Sequence, residues 1–218
     1  MARQERALHT RRALIEAAAE VFHREGFEPT VLAAVSARAG VSTGALHFHF
    51  AGKGELAAAV EAVAAERLGR LTADGAGRLD PSGPCGPSGE DVLQALIDAT
   101  HALARALEGD AVLRAGFSLS GSRGRRAPAV DLRGEWQQWV RAVLVRAGER
   151  GALAPGVTAD DAAVPVVAAT VGIEVLGRSG VRWLSTAVLT RFWALLLPNL
   201  AAEPVQARLA AGGTESAR

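Results

Sequence analysis

The sequence predicts an all-α fold, and three observations carry that prediction. Apolar residues recur at helical spacing in one segment after another. Alanine and leucine dominate a chain that is 49% hydrophobic, and tyrosine is absent while strand-rich runs are scarce. At 218 residues the chain can bury a good core in one or two domains. The patterning divides it at 53/54, into a three-helix unit over 1–53 and a larger helical unit over 54–218 with a loop at 73–89.

In the first helix Leu8, Ile15, Ala18, Ala19 and Phe22 form an apolar stripe. Gly26 ends it, and Phe27 packs behind. Thr30 is the expected N-cap of a second helix, its hydroxyl accepting from the free N–H groups of the first turn. Val31, Leu32, Val35 and Ala39 give that helix its apolar face. Gly40 suits the left-handed position that ends a helix, and Val41 then returns to the core. Ser42 caps a third helix, where Leu46 and Phe50, four apart, face inward.

Two short helices meeting at a glycine turn make a helix-turn-helix, the arrangement that places a helix in the DNA major groove. Ser42, Thr43, Gly44, Ala45 and His47 remain on the outside of the third helix. Small residues allow close approach to bases and phosphates, hydroxyls bond to either, and an alanine methyl can touch a thymine methyl. His47, His49 and Lys53 can reach the phosphate backbone, and the start of the next helix near Lys53 can receive a phosphate. Arg3, Arg6, Arg11 and Arg12 cluster at the start of the first helix, beside this unit. The candidate DNA contacts are therefore Arg3, Arg6, Thr30, Ser42, Thr43, Gly44, Ala45, His47, Phe48, His49 and Lys53.

Gly54–Leu71 reads as a connecting helix with Leu56, Val60, Val63 and Leu68 apolar. Residues 73–89 are too rich in glycine and proline for a helix. Glu90–Leu107 and Ala111–Leu119 return to helix, and 120–128 is a loop in which Arg123, Arg125 and Arg126 form a solvated cluster. Leu132–Glu149 is a long helix carrying Trp136 and Trp139. Thr158 caps the next, with Asp160 and Asp161 in its first turn; Pro165 kinks it or marks its true start. A last helix, Leu184–Leu197, ends at Pro198, and the tail after Ala202 is expected to fray. Residues 164–176 and 186–197 are apolar around most of the helix, so they belong in a core or against a second subunit.

Net charge is only +1, so DNA affinity has to come from local placement of charge. Lys53 is the only lysine among 24 basic residues, an arginine bias expected of a GC-rich genome. The single cysteine, Cys85, excludes an internal disulfide and fits a reducing cytoplasm. Met1–Thr10 is charged and lacks the apolar core of a signal peptide, and no apolar run reaches membrane-spanning length. There is no metal-spaced His/Cys cluster, phosphate-binding glycine loop, dinucleotide glycine signature or serine elbow. An enzyme is therefore not expected, and neither is a metal or cofactor.

The pattern T-x8-A-G-V-S-x-G-x-L-x-x-H-F-x-x-K-x-x-L, running from Thr30 to Leu56, resembles the DNA-binding domain of the TetR family of bacterial repressors. ARQERALHTRRALIEAAAEVF, ALHFHF, LRAGFSLS and GEWQQW further resemble the gamma-butyrolactone receptors and their relatives, which control antibiotic production in Streptomyces-like actinobacteria. The resemblance is strong over 1–60 and looser beyond. It implies a homodimer on a near-palindromic double-stranded DNA operator, with the last long helices forming the dimer interface. It also implies a cytoplasmic, nucleoid-bound repressor of secondary metabolism and a small hydrophobic ligand such as a gamma-butyrolactone. Trp136 matches the tryptophan that lines the ligand cavity in that branch, and Thr170 the hydroxyl residue that bonds the lactone. The expected cavity is lined by Phe117, Trp136, Val140, Val143, Val166, Val167 and Thr170. The chain departs from the branch at Thr43, where lactone receptors often have lysine, at His47, where tyrosine is usual, and at Gly54 and Ala64. The branch also contains pseudo-receptors that answer to antibiotics or other effectors. A DNA-binding protein with a solid core and no ligand is the remaining alternative.

Overall fold

The structure, a computed structural model, describes residues 2–77, 88–121, 127–178 and 180–214. They form α1 (Ala2–Glu25), α2 (Leu32–Arg38), α3 (Thr43–His49), α4 (Lys53–Gly77), α5 (Gly89–Gly109) and α6 (Ala111–Ser120). After these come α7 (Leu132–Glu149), α8 (Ala159–Gly177), a 3-10 turn at Val181–Leu184, α9 (Thr186–Leu200) and α10 (Glu203–Gln206). Among the described residues there is no strand, only an isolated bridge between Leu153 and Ala201. The fold is all-α, as the periodicity predicts. The helices pack as two compact units, Met1–Arg67 with Asp110–Arg133, and Leu68–Gly109 with Gly134–Arg218. The expected boundary at 53/54 falls inside the first unit, which runs to Arg67 and also takes in α6, packed along α1.

In the first unit Ile15, Ala18, Phe22, Val35, Leu46, Phe50 and Leu56 are buried. Leu8, expected in the α1 stripe, is 63% exposed. Gly26 closes α1 at φ +86°, and the Phe27 ring lies 5.6 Å from Phe22. Gly40 closes α2 at φ +69°, and the Val41 N–H reaches back to the Ser36 carbonyl at 3.0 Å. Val31 is 62% exposed at the head of α2 instead of sharing its apolar face. At the start of α4 the Ala51 N–H donates to Glu55 at 2.7 Å, which offsets the weak helix propensity of Gly54. Asp110 caps α6 by accepting from the Val112 and Leu113 N–H groups, and it pairs with Arg67. Burial alone would raise the Asp110 carboxyl, but the hydrogen bonds from Arg67 and the helix N–H groups outweigh it and hold the pKa below the usual value.

The second unit is built around α5, whose Val92, Leu93, Leu96, Ile97, Leu103 and Leu107 are buried as expected. Thr158 caps α8, accepting from the Asp161 N–H at 3.1 Å. Pro165 lies inside α8 and does not mark its start, and α9 runs through Pro198 to Leu200. α4 continues to Gly77 and α5 begins at Gly89, so both ends of the expected 73–89 loop are helical, and 78–87 lie outside the described residues. Cys85, Arg123, Arg125 and Arg126 lie outside the described residues.

The tail past Ala202 is a larger difference. It forms α10 and then runs along α5 to Thr214. Gln94, Asp98 and His101 recur on one face of α5 and bind it. Gln94 accepts from the Ala210 N–H at 2.8 Å, His101 Nε2 bonds the Ala211 carbonyl at 3.0 Å, and Asp98 accepts from the Thr214 N–H at 2.8 Å. Burial lowers the His101 pKa, so the neutral ring donates its Nε2–H to that carbonyl.

Candidate functional site

α3 is amphipathic over only seven residues, and its two faces have opposite chemistry. Leu46 is fully buried and Phe50, just beyond the helix, is 1% exposed, so together they anchor it. Ser42, Thr43, Gly44 and His47 are exposed, Ala45 and His49 are half-buried, and the Phe48 ring stands 80% exposed. Ser42 Oγ accepts from the Ala45 N–H at 3.1 Å, which fixes the start of the helix. Ser36 donates its proton to the Ala33 carbonyl at 3.1 Å, leaving its oxygen to accept from Thr43 at 3.3 Å. That bond ties α2 to α3. Arg6 is exposed on α1, and the side chain of Arg3 lies outside the described residues. The exposed face is a row of hydroxyls, a glycine, a histidine and one aromatic ring, without a carboxylate.

Two expected contacts are corrected. Thr30 is buried at 2% and donates its hydroxyl to the Gly26 carbonyl at 2.7 Å, so it neither caps α2 nor faces outward. Lys53 is also turned inward. Its ammonium donates to the carbonyls of Phe27, Glu28 and Thr30 at 2.9, 2.8 and 3.1 Å and lies 4.7 Å from the centre of the Phe27 ring. An ammonium has three protons, and all three are used. The only lysine is thus a clamp on the α1–α2 connection. Lys53→Met should lower stability by about 1.5–3 kcal/mol, the worth of hydrogen bonds from a charged group. Urea unfolding would measure it; full stability with a shallower salt dependence of DNA binding would return Lys53 to the phosphates. Arg11, read from the sequence as part of the basic cluster on α1, holds its guanidinium 5.1 Å from the centre of the Phe50 ring.

In the second unit Trp136 on α7 is buried at 1%, stacked on Trp139 at 5.2 Å. Its indole N–H donates to Thr170 Oγ1 at 2.9 Å, and the Thr170 hydroxyl donates to the Val166 carbonyl at 2.9 Å. The two residues matched to ligand contacts are therefore brought together, satisfied by each other. Val140, Val143 and Val166 are buried, while Val167 borders an open groove of about 520 Å³ between α7 and α8. Phe117 is buried in α6 and belongs to the first unit. Of the residues expected around a cavity, only Thr170 borders the small gap between α5, α8 and α9, which measures about 10 Å³. That is room for at most one water. Thr100 on α5 borders the same gap and accepts from the Trp193 indole at 2.9 Å, a pair that no local pattern announces.

Among the described residues no helix is long and apolar enough to cross a membrane, and no cluster of His, Cys, Asp and Glu could hold a metal ion. Residues 14–60 match the family described as bacterial regulatory proteins, tetR family. The chain is 30% identical to the A-factor receptor protein of Streptomyces griseus over 211 residues, covering 92% of this chain and 67% of that one. It spans about two thirds of the length of the curated relatives it matches. Among solved structures it is similar to a gamma-butyrolactone receptor (ArpA-like protein) at 32% identity and TM-score 0.76, covering 95% of this chain and 96% of that one. It is also similar to CprB from Streptomyces coelicolor, solved in complex with its biological operator sequence, at 33% identity and TM-score 0.74, with 93% and 94% coverage.

Proposed function

The chain belongs to the TetR family of bacterial regulatory proteins, whose members are transcriptional regulators and not enzymes, and on that premise we propose that it is a homodimeric, ligand-responsive repressor. The exposed face of α3 is the observation that carries the reading: with Leu46 and Phe50 holding the helix from behind, Ser42, Thr43, Gly44, Ala45, His47, Phe48 and His49 are left to face a partner. In the dimer, the two copies of α3 enter major grooves about 34–36 Å apart, or a multiple of that, on a near-palindromic operator. Val164 on α8 and Leu195 on α9, 69% and 79% exposed in the single chain, supply apolar surface for the second subunit to cover. The effector is a small hydrophobic molecule of the gamma-butyrolactone kind, met by Trp136 and Thr170. It favours a dimer with the reading helices wrongly spaced, so ligand and DNA weaken each other's binding by the same free energy. The regulated genes concern secondary metabolism, and the protein acts in the cytoplasm, on the nucleoid when bound.

The closed packing around Trp136 favours a second reading, a repressor with no effector or with a different hydrophobic one. Binding of the purified protein to DNA from around its own gene, with and without lactone-type extracts, separates the two. Its affinity should fall steeply with salt, the logarithmic slope being about −0.9 for each phosphate neutralised. A flat salt response would remove DNA as the partner. Release by the extract supports the lactone reading, and binding that ignores it supports the second.

A further inference from the structure

Past α10, residues 210–214 are read by three side chains on one face of α5. The Gln94 amide meets both backbone groups of Ala210, accepting from its N–H at 2.8 Å and donating to its carbonyl at 3.3 Å. His101 Nε2–H donates to the Ala211 carbonyl at 3.0 Å. The Asp98 carboxylate accepts from the Thr214 N–H at 2.8 Å and from the Thr214 hydroxyl at 2.6 Å. Gly213 takes φ +80° and lies against the imidazole: a Cβ there would stand 3.3 Å from Asp98 Oδ1 and 3.4 Å from His101 Cδ2. On the α9 side a Cβ added to Gly212 would meet Thr190 Oγ1 at 3.7 Å. The segment is therefore a fitted strap, closed over the His101 ring.

We propose that the 210–214 strap is a proton-released latch, shut on α5 while His101 is neutral and opened when the ring takes a second proton. His101 is 1% exposed, and its Nδ1 is buried without a hydrogen-bond partner. A second proton would make Nδ1 a donor on a charged ring, with no acceptor and no water in reach. The charges facing the ring are Asp98 and Arg105, both on α5. Among its described residues the strap adds none, since Arg208 pairs with Glu90 at 3.3 Å, and α9 meets the strap through the Thr190 hydroxyl. Burial, helped by Arg105, outweighs the Ala211 carbonyl and Asp98 and holds the His101 pKa below the usual histidine value. With the strap lifted, water reaches the ring, and the pKa returns toward about 6.5. The released form therefore binds the proton more tightly. The latch is at full strength above about pH 6.5 and weakens as pH falls below it, by at most about tenfold per pH unit. This device does not depend on the effector reading.

The test is hydrogen exchange of the Thr214 amide in the full chain, between about pH 8 and pH 5. Divided by the intrinsic chemical rate at each pH, it reports the ratio of shut to open latch. That ratio should be level above about pH 6.5 and fall below it, while the amides of Leu96 and Ile97 in the α5 core keep their protection. His101→Gln, whose amide can make the Nε2 bond but does not titrate, should give a level profile. Gly213→Val should open the latch at every pH and leave the α5 core protected. In that variant the His101 ring, the only one of the five histidines in the second unit, should titrate closer to about 6.5 than in the parent. A Thr214 ratio that stays level down to pH 5 in the parent would overturn the proposal. So would a fall that is just as steep in His101→Gln, or a His101 titration that Gly213→Val leaves unchanged.

Discussion

Gly44→Leu should reduce operator affinity to the level of non-specific DNA, about 1,000-fold or more at fixed salt, while the dimer stays folded. Gly44 is exposed in the first turn of α3, and a Cβ added there would meet nothing closer than Ser42 Oγ at 3.8 Å. The protein therefore has room for a side chain, and any loss comes from the DNA side, where a branched chain holds the helix away from the base edges. Gly44→Ala is the control. It should raise stability by about 0.5–1 kcal/mol, because glycine is a poor helix residue. Measuring DNA affinity and urea unfolding on both variants separates docking from folding. Unchanged affinity in Gly44→Leu would mean that α3 does not read the groove.

Trp136→Ala should destabilise the protein by about 3–5 kcal/mol, the cost of emptying a large buried site that relaxes only in part. The indole is 1% exposed, stacked at 5.2 Å on Trp139 and bonded to Thr170. Against a total stability of about 5–15 kcal/mol, the loss is large enough to obscure any ligand response. Trp136→Phe keeps most of the ring and removes the N–H, costing about 0.5–1.5 kcal/mol, and is the variant in which to look for a lost response. Denaturant unfolding of both variants checks the pair. A loss under about 1 kcal/mol in Trp136→Ala would show that the indole occupies space meant for a ligand, because a well-packed core cannot give up that volume so cheaply.

Lys53 and Thr30 show where reading a sequence reaches its limit. Both lie in the TetR-like pattern, and both have side chains suited to a phosphate. Their orientation depends on the α1–α2 connection, whose carbonyls at Phe27, Glu28 and Thr30 face Lys53 from 26, 25 and 23 residues away. Those carbonyls are leftover acceptors of a bend, and a pattern of residue types does not show which side chain will satisfy them. The same holds for the tail. Residues past Ala202 read as fraying because they lack apolar periodicity, yet Gln94, Asp98 and His101 hold them through bonds spanning 116, 116 and 110 residues.

What the sequence determined by itself is whatever is decided within one or two helical turns. Periodicity places the helices, Gly26 and Gly40 take positive φ where helices must stop, and Ser42 and Thr158 cap the helices that follow them. The family pattern belongs with these, because it is written in one short window. Tertiary structure alone decided which polar side chains turn inward, that Trp193 meets Thr100, and that the space beside Thr170 closes to about 10 Å³. The physical reason is common to all three. A buried donor or acceptor takes whatever partner the packed helices bring within reach, and that partner's distance along the chain carries no local signature.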